Sequence, residues 1–124
     1  NLTNVMDGNS GYGAFGDCSS LTTLNVTGWN VSKVTNMNQL FRGCASLKVL
    51  DLSTWDMSKV TTINRFFDYG QKLETVKLPE LTDSIVTKIF SVGFVPSTMD
   101  VYVKSESNKD AVLAKKPNYN VIIY

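Results

Sequence analysis

Apolar residues return along this chain in a short phrase, Leu-x-x-Leu-x-Leu, at a fixed interval of 26 residues. It stands first as Leu21-Thr22-Thr23-Leu24-Asn25-Val26, then as Leu47-Lys48-Val49-Leu50-Asp51-Leu52, then as Leu73-Glu74-Thr75-Val76-Lys77-Leu78. The flanks keep step: Phe15, Phe41 and Phe67; Cys18, Cys44 and Gly70; Trp29, Trp55 and Leu81; Val34, Val60 and Val86; Met37, Ile63 and Ile89. Alternation within the phrase predicts a short strand with every second side chain inward. Spacings of three and four, in Met37, Leu40, Phe41 and Cys44 and again in Ile63, Phe66, Phe67 and Gly70, predict one or two helical turns. Thr35 or Asn36 is placed to cap the first of these. Each unit reads as strand, turn, short helix, turn. A self-similar period of this length marks a solenoid, whose units bury their apolar faces only against one another.

The pattern loosens at both ends. Leu2-Thr3-Asn4-Val5 matches Val34-Thr35-Asn36-Met37, but six surplus residues fall in the Gly-rich stretch Asp7-Gly8-Asn9-Ser10-Gly11-Tyr12-Gly13. Its Asp-x-Asn opening resembles a calcium loop, yet Tyr12 stands where that loop needs Gly and Cys18 where it needs Glu, so a calcium site is rejected. Beyond Leu81, Gly93 and Pro96 interrupt the third unit, and a further strand, Met99-Asp100-Val101-Tyr102-Val103, is predicted. Ser107-Asn108-Lys109-Asp110 reads as a capping box for a helix to about Lys116, stopped by Pro117, with a last strand at Val121-Ile122-Ile123-Tyr124. The expected fold is an α/β solenoid, a leucine-rich-repeat-like stack of short parallel strands and short helices closed by a C-terminal β-α-β cap. It forms one domain, with a partial repeat over 1–17, repeats over 18–97 and the cap over 98–124.

Composition narrows the functional classes. The 124 residues carry a net charge of +1 with lysines and arginines dispersed, which lacks the basic stripe of a nucleic-acid binder. No apolar run is long enough for a membrane span. The start at Asn1 reads as that of a mature or excised piece of a longer protein. With no histidine, the usual general base, zinc ligand and Ser-His-Asp arrangements are all missing. No cofactor or metal site is expected.

The stretch Leu40-Phe41-Arg42-Gly43-Cys44-Ala45-Ser46-Leu47-Lys48-Val49-Leu50-Asp51-Leu52-Ser53-Thr54-Trp55-Asp56-Met57-Ser58-Lys59-Val60-Thr61-Thr62-Ile63 resembles the repeat of BspA-type leucine-rich-repeat proteins, which are chiefly bacterial surface proteins. The copy ending Trp29-Asn30-Val31-Ser32-Lys33-Val34-Thr35-Asn36-Met37 is nearly as close, and the resemblance covers about residues 14–78. It departs at Gly70, Leu81 and the six-residue insertion. The resemblance implies extracellular or cell-wall display and adhesion to host proteins, host cells or other bacteria, and it carries over no binding or catalytic residue.

Each candidate residue has a plainer role to weigh against a functional one. Trp29 and Trp55 are expected to form a buried ladder rather than a sugar platform, since Leu81 is the third rung. Cys18 and Cys44 should be lateral neighbours, and we expect buried free thiols rather than a disulfide, because Gly70 fills the same position without a side chain. The carboxylates of Asp51, Asp56 and Asp68 recur at repeat positions, with Asn25 and Asn30 as counterparts, which points to turns and caps rather than acid–base chemistry. The outward strand row, Asn25, Asp51, Lys77 and Tyr102, is the candidate for partner contact, set against a solvated face on which Asp51 and Lys77 pair across strands. The periodicity-breaking loop with Tyr12 is a further candidate. The expected function is a non-enzymatic, monomeric binding module of a bacterial adhesin, at the cell surface or secreted, contacting a host or bacterial surface protein or glycan. A structural spacer without a ligand, or an accessory domain of a larger surface protein, is the alternative.

Overall fold

In the computed structural model, which describes residues 13–91 and 95–124, four short strands lie side by side in one sheet. β1 spans Val49–Asp51, β2 Thr75–Lys77, β3 Asp100–Val103 and β4 Asn120–Ile123, in the spatial order β1-β2-β3-β4, and all neighbours are parallel. Parallel neighbours require crossovers. Helix α1, Asp83–Phe90, lies between β2 and β3, and helix α2, Glu106–Lys115, between β3 and β4. The crossover from β1 to β2 is made of turns. The protein is thus an α/β structure with one open parallel sheet and two helices.

Register follows the repeat. Leu50 pairs with Val76, Val76 with Val101 and Val101 with Val121, so one buried apolar side chain from each strand joins a single row. Asp51, Lys77, Tyr102 and Ile122 form the next row, on the opposite face because successive side chains alternate.

Two sequence expectations need correction. The phrase at residues 21–26 is not a strand. A groove of about 390 Å³ lined by Thr22, Leu24, Asn25, Val49 and Asp51 opens between it and β1. The Val26 carbonyl accepts from the Trp29 N–H and from the Trp55 indole Nε1, both at 3.2 Å. Leu24 is only partly buried against the core.

The helical turns expected around residues 37–44 and 63–70 are irregular turns. Alternate amides of the first segment bond outward, to carbonyls of the second. Met37, Gln39, Phe41 and Gly43 N–H donate to the carbonyls of Thr62, Asn64, Phe66 and Asp68 at 2.8, 2.9, 2.8 and 2.8 Å. Phe15 and Asp17 donate likewise to Leu40 and Arg42 at 3.1 and 2.7 Å. A helix would satisfy these donors internally. Left-handed residues also break any helix, and they repeat: Asp17, Gly43 and Tyr69 at φ 57°, 76° and 63°, and Gln39 and Arg65 at 58° and 53°.

Aromatic rings fill the space enclosed by these turns. Phe15 stacks on Phe41 at 5.5 Å and Trp29 on Trp55 at 6.5 Å, and Phe15–Trp29 and Phe41–Trp55 contacts of 5.6 and 6.3 Å bind the two ladders together. Trp55 is buried as the expected ladder requires, whereas Trp29 is only half-buried against the core. Phe66, Phe67, Phe90 and Tyr119 continue the cluster edge-on toward the helices.

Helix α1 starts at Thr82, whose hydroxyl accepts from Ile85 N, and it buries Ile85, Val86, Ile89 and Phe90. Helix α2 begins two residues earlier than the expected capping box: Ser105, not Ser107, accepts from Asn108 N at 3.1 Å. Ser107 and Asn108 are used elsewhere. Both donate to the Asp83 carboxylate, and Asn108 Nδ2 also reaches the Leu81 carbonyl at 3.1 Å, which fastens α2 to the start of α1.

Leu50 is fully buried whereas its neighbour Val49 is 52% exposed. We expect Leu50→Ala to cost ~2–5 kcal/mol in urea unfolding through a core cavity, and Val49→Ala or Thr23→Ala to stay within ~0.5 kcal/mol. At Gly43, an added Cβ would lie 3.0 Å from Asp17 Cα on a backbone of φ 76°. Gly43→Ala should therefore cost more in urea unfolding than the ~1 kcal/mol of the left-handed penalty alone.

Candidate binding surface

The outward row beside the core row contains most of the residues proposed from sequence. Its first two members are committed to the fold. Asn25 Oδ1 accepts from Thr27 N and Asp51 Oδ1 from Ser53 N, both at 2.9 Å, closing the same turn in successive units. Asn30 and Asp56 repeat the device at 3.1 and 3.0 Å, with Ser32 and Ser58 as donors. These are the side-chain turns that Asn and Asp favour, so the turn reading of Asp51 and Asp56 holds. Asp68 is buried beneath the turn in which Gly43 N–H meets its carbonyl.

Charge is arranged accordingly. Desolvation pushes the Asp51 carboxyl up, but hydrogen bonds from Ser53 and the nearby Lys77 ammonium outweigh it and hold it below 3.8. Hydrogen bonds from the Ser58 side chain and backbone do the same for Asp56. The expected Asp51–Lys77 ion pair does not form among the described residues; the exposed cross-strand pair is Lys48–Glu74 at 2.9 Å.

Lys77 turns to an aromatic ring instead. Its Nζ lies 4.4 Å from the centroid of Tyr124, and Lys104 Nζ lies 3.8 Å from the same ring. Tyr102 meets Tyr124 edge-on at 6.4 Å. The Tyr124 hydroxyl donates to the Leu78 carbonyl at 2.5 Å, and burial, reinforced by the Asp51 charge, raises its pKa above 10. Sequence reasoning chose Lys77 and Tyr102 but missed Tyr124 and Lys104. The signal was present: alternation from buried Val121 places Ile122 and Tyr124 on the Tyr102 side. Tyr12 lies outside the described residues.

A second concavity, about 580 Å³, opens where the strands begin and is lined by Lys48, Lys72, Glu74, Asp100 and Asn120 among others. It offers mixed charge without an aromatic wall. Cys18 and Cys44 are free thiols; Cys44 is buried, Cys18 half-buried. Burial pushes the Cys44 pKa up to about 11, and its Sγ donates to the Phe15 carbonyl at 3.2 Å, which keeps it a protonated core group at neutral pH. Among the described residues, no three His, Cys, Asp or Glu side chains gather into a metal-binding group, and no helix is long and apolar enough to cross a membrane.

The architecture is that of an α/β protein whose open parallel sheet displays one polar, partly aromatic face. The chain belongs to the family described as "Mycoplasma protein of unknown function, DUF285", whose model matches residues 9–92. Searches of curated proteins and of solved structures gave no match.

Because Asp51 and Asp56 titrate below 3.8 in the folded protein, their stabilisation is present in full above that value and is lost as pH falls through the lowered one. Asparagine keeps the turn acceptor without the charge. The double variant Asp51→Asn/Asp56→Asn should therefore remain folded at neutral pH and show a smaller drop in thermal midpoint than wild type between about pH 5 and about pH 2.

Proposed function

We propose that this chain is a non-catalytic binding module of a bacterial surface or secreted adhesin, built as a leucine-rich-repeat solenoid of BspA type. The repeat of 26 residues and the recurrence of the same turns in successive units support the solenoid reading. The polar side chains that catalysis would need are spent on structure: Asp51 and Asp56 hold turns, Cys44 packs in the core, and histidine is absent.

One observation carries the binding reading. Tyr102, Tyr124, Lys77 and Lys104 converge on the outer sheet face, on top of a rigid parallel sheet. Tyrosine supplies large contact area at low conformational cost and is enriched where interface energy concentrates. A host or bacterial surface protein or a glycan is the partner class, with extracellular display and a monomeric state. The spacer reading draws on a different fact: Asn25 and Asp51 close turns, which shortens the face left for contact. Stable complexes typically bury ~800 Å² per partner.

Adhesion of beads coated with the chain to host matrix and to bacterial cells distinguishes the two. The binding reading expects adhesion that falls about tenfold or more in Tyr102→Ala/Tyr124→Ala and is unchanged in Thr23→Ala. Adhesion unaffected by the tyrosine changes contradicts the assigned face, and wild-type beads that adhere to nothing favour the spacer.

A further inference from the structure

Two ammonium groups share one ring at the end of the outer face. Lys77 Nζ and Lys104 Nζ lie 4.4 and 3.8 Å from the Tyr124 centroid, so they stand within about 8 Å of each other. The ring beneath them is fixed by its hydroxyl bond to the Leu78 carbonyl and by its edge contact with Tyr102. Among the described residues neither lysine is in an ion pair, whereas Lys48 on the same sheet is neutralised by Glu74 at 2.9 Å. The negative face of the ring offsets part of the repulsion between the cations and restricts their rotamers before any ligand arrives. The cluster is a pre-organised pair of cations that no carboxylate of the described residues meets at ion-pair distance, although Asp51 acts on Lys77 and, with Glu80, on the Tyr124 ring from farther off.

We propose that the Lys77–Tyr124–Lys104 cluster docks an extended acidic peptide whose carboxylates, two residues apart, each meet one ammonium. This rests on the binding-module reading and names the chemistry of its partner. Side chains on one side of an extended chain recur at about 6.6 Å, below the ceiling of about 8 Å that the two centroid distances set on the separation of the nitrogens. The lysines lie over the Tyr124 ring and Tyr102 abuts its edge, so the ring presents cations rather than a bare plane on which a sugar would stack. Asp51, in register with Lys77 on its far side, repels a third carboxylate and bounds the site laterally.

Fluorescence anisotropy of the full chain with a labelled peptide, Gly-Thr-Glu-Thr-Glu-Thr-Gly, tests this. The expected result is saturable, salt-sensitive binding that weakens about tenfold in K77Q/K104Q and as much when both peptide glutamates become glutamine. Unchanged thermal melts of the variant show that the fold is retained. Binding that survives both changes, or no binding to the wild type, overturns the proposal. So does lysine-dependent binding of sulfated dextran with none of the peptide. Tyrosine-dependent adhesion without peptide binding sinks this inference alone, whereas loss of both sinks the binding reading with it.

Discussion

The structure depends on amides that find their acceptors one repeat away. In the turn wall, Met37, Gln39, Phe41 and Gly43 each donate to a carbonyl of the following unit, and on the sheet side Leu52 N–H donates to the Lys77 carbonyl at 2.8 Å. A buried backbone donor without an acceptor is costly, so a lone unit of this kind could not hold its own turns. The bonds impose equal spacing on successive units. That spacing brings Phe15 over Phe41 and Trp29 over Trp55, and Leu50 beside Val76. Side chains reinforce the same link: the Thr61 hydroxyl reaches the Thr35 carbonyl at 3.2 Å, and Asn38 Oδ1 accepts from Asn64 N at 2.7 Å.

The C-terminal elements solve the problem of ending such a series. After β2 the crossovers become true helices, because α1 and α2 satisfy their own donors and carry side-chain caps at Thr82 and Ser105. Asn108 then joins the two helices through Leu81 and Asp83. With the units fixed, Lys77 and Tyr102 are placed by strand register, and Lys104 and Tyr124 each directly follow the last residue of a strand. Rigid placement favours binding, since little side-chain freedom remains to be lost.

Much of this was legible in the sequence. Because only one period aligns Leu50 with Val76 and Trp29 with Trp55, the apolar columns, the parallel register and the stacking of the tryptophans follow from counting. The turns at 37–44 and 63–70 were misread as helical because stacked turns and helices both place apolar residues three and four apart. The distinguishing fact is backbone handedness at Gln39 and Arg65, residues whose type announces nothing. At residues 21–26 the pattern is that of a strand, but a strand also needs a bonded neighbour, and a groove separates this stretch from β1. Of the outward row, side-chain direction was readable and side-chain employment was not: Asn25 and Asp51 close turns, while Tyr124 entered only when β4 was set beside β3.

Native-state amide hydrogen exchange measures the inter-unit bonds most directly. The amides of Gln39, Phe41 and Gly43 sit in irregular turns yet donate to the next unit at 2.9, 2.8 and 2.8 Å. They should exchange as slowly as sheet amides such as Leu78, which donates to the Tyr102 carbonyl at 2.9 Å. Exchange of these three at the rate of an unstructured chain, with Leu78 still protected, would contradict the account.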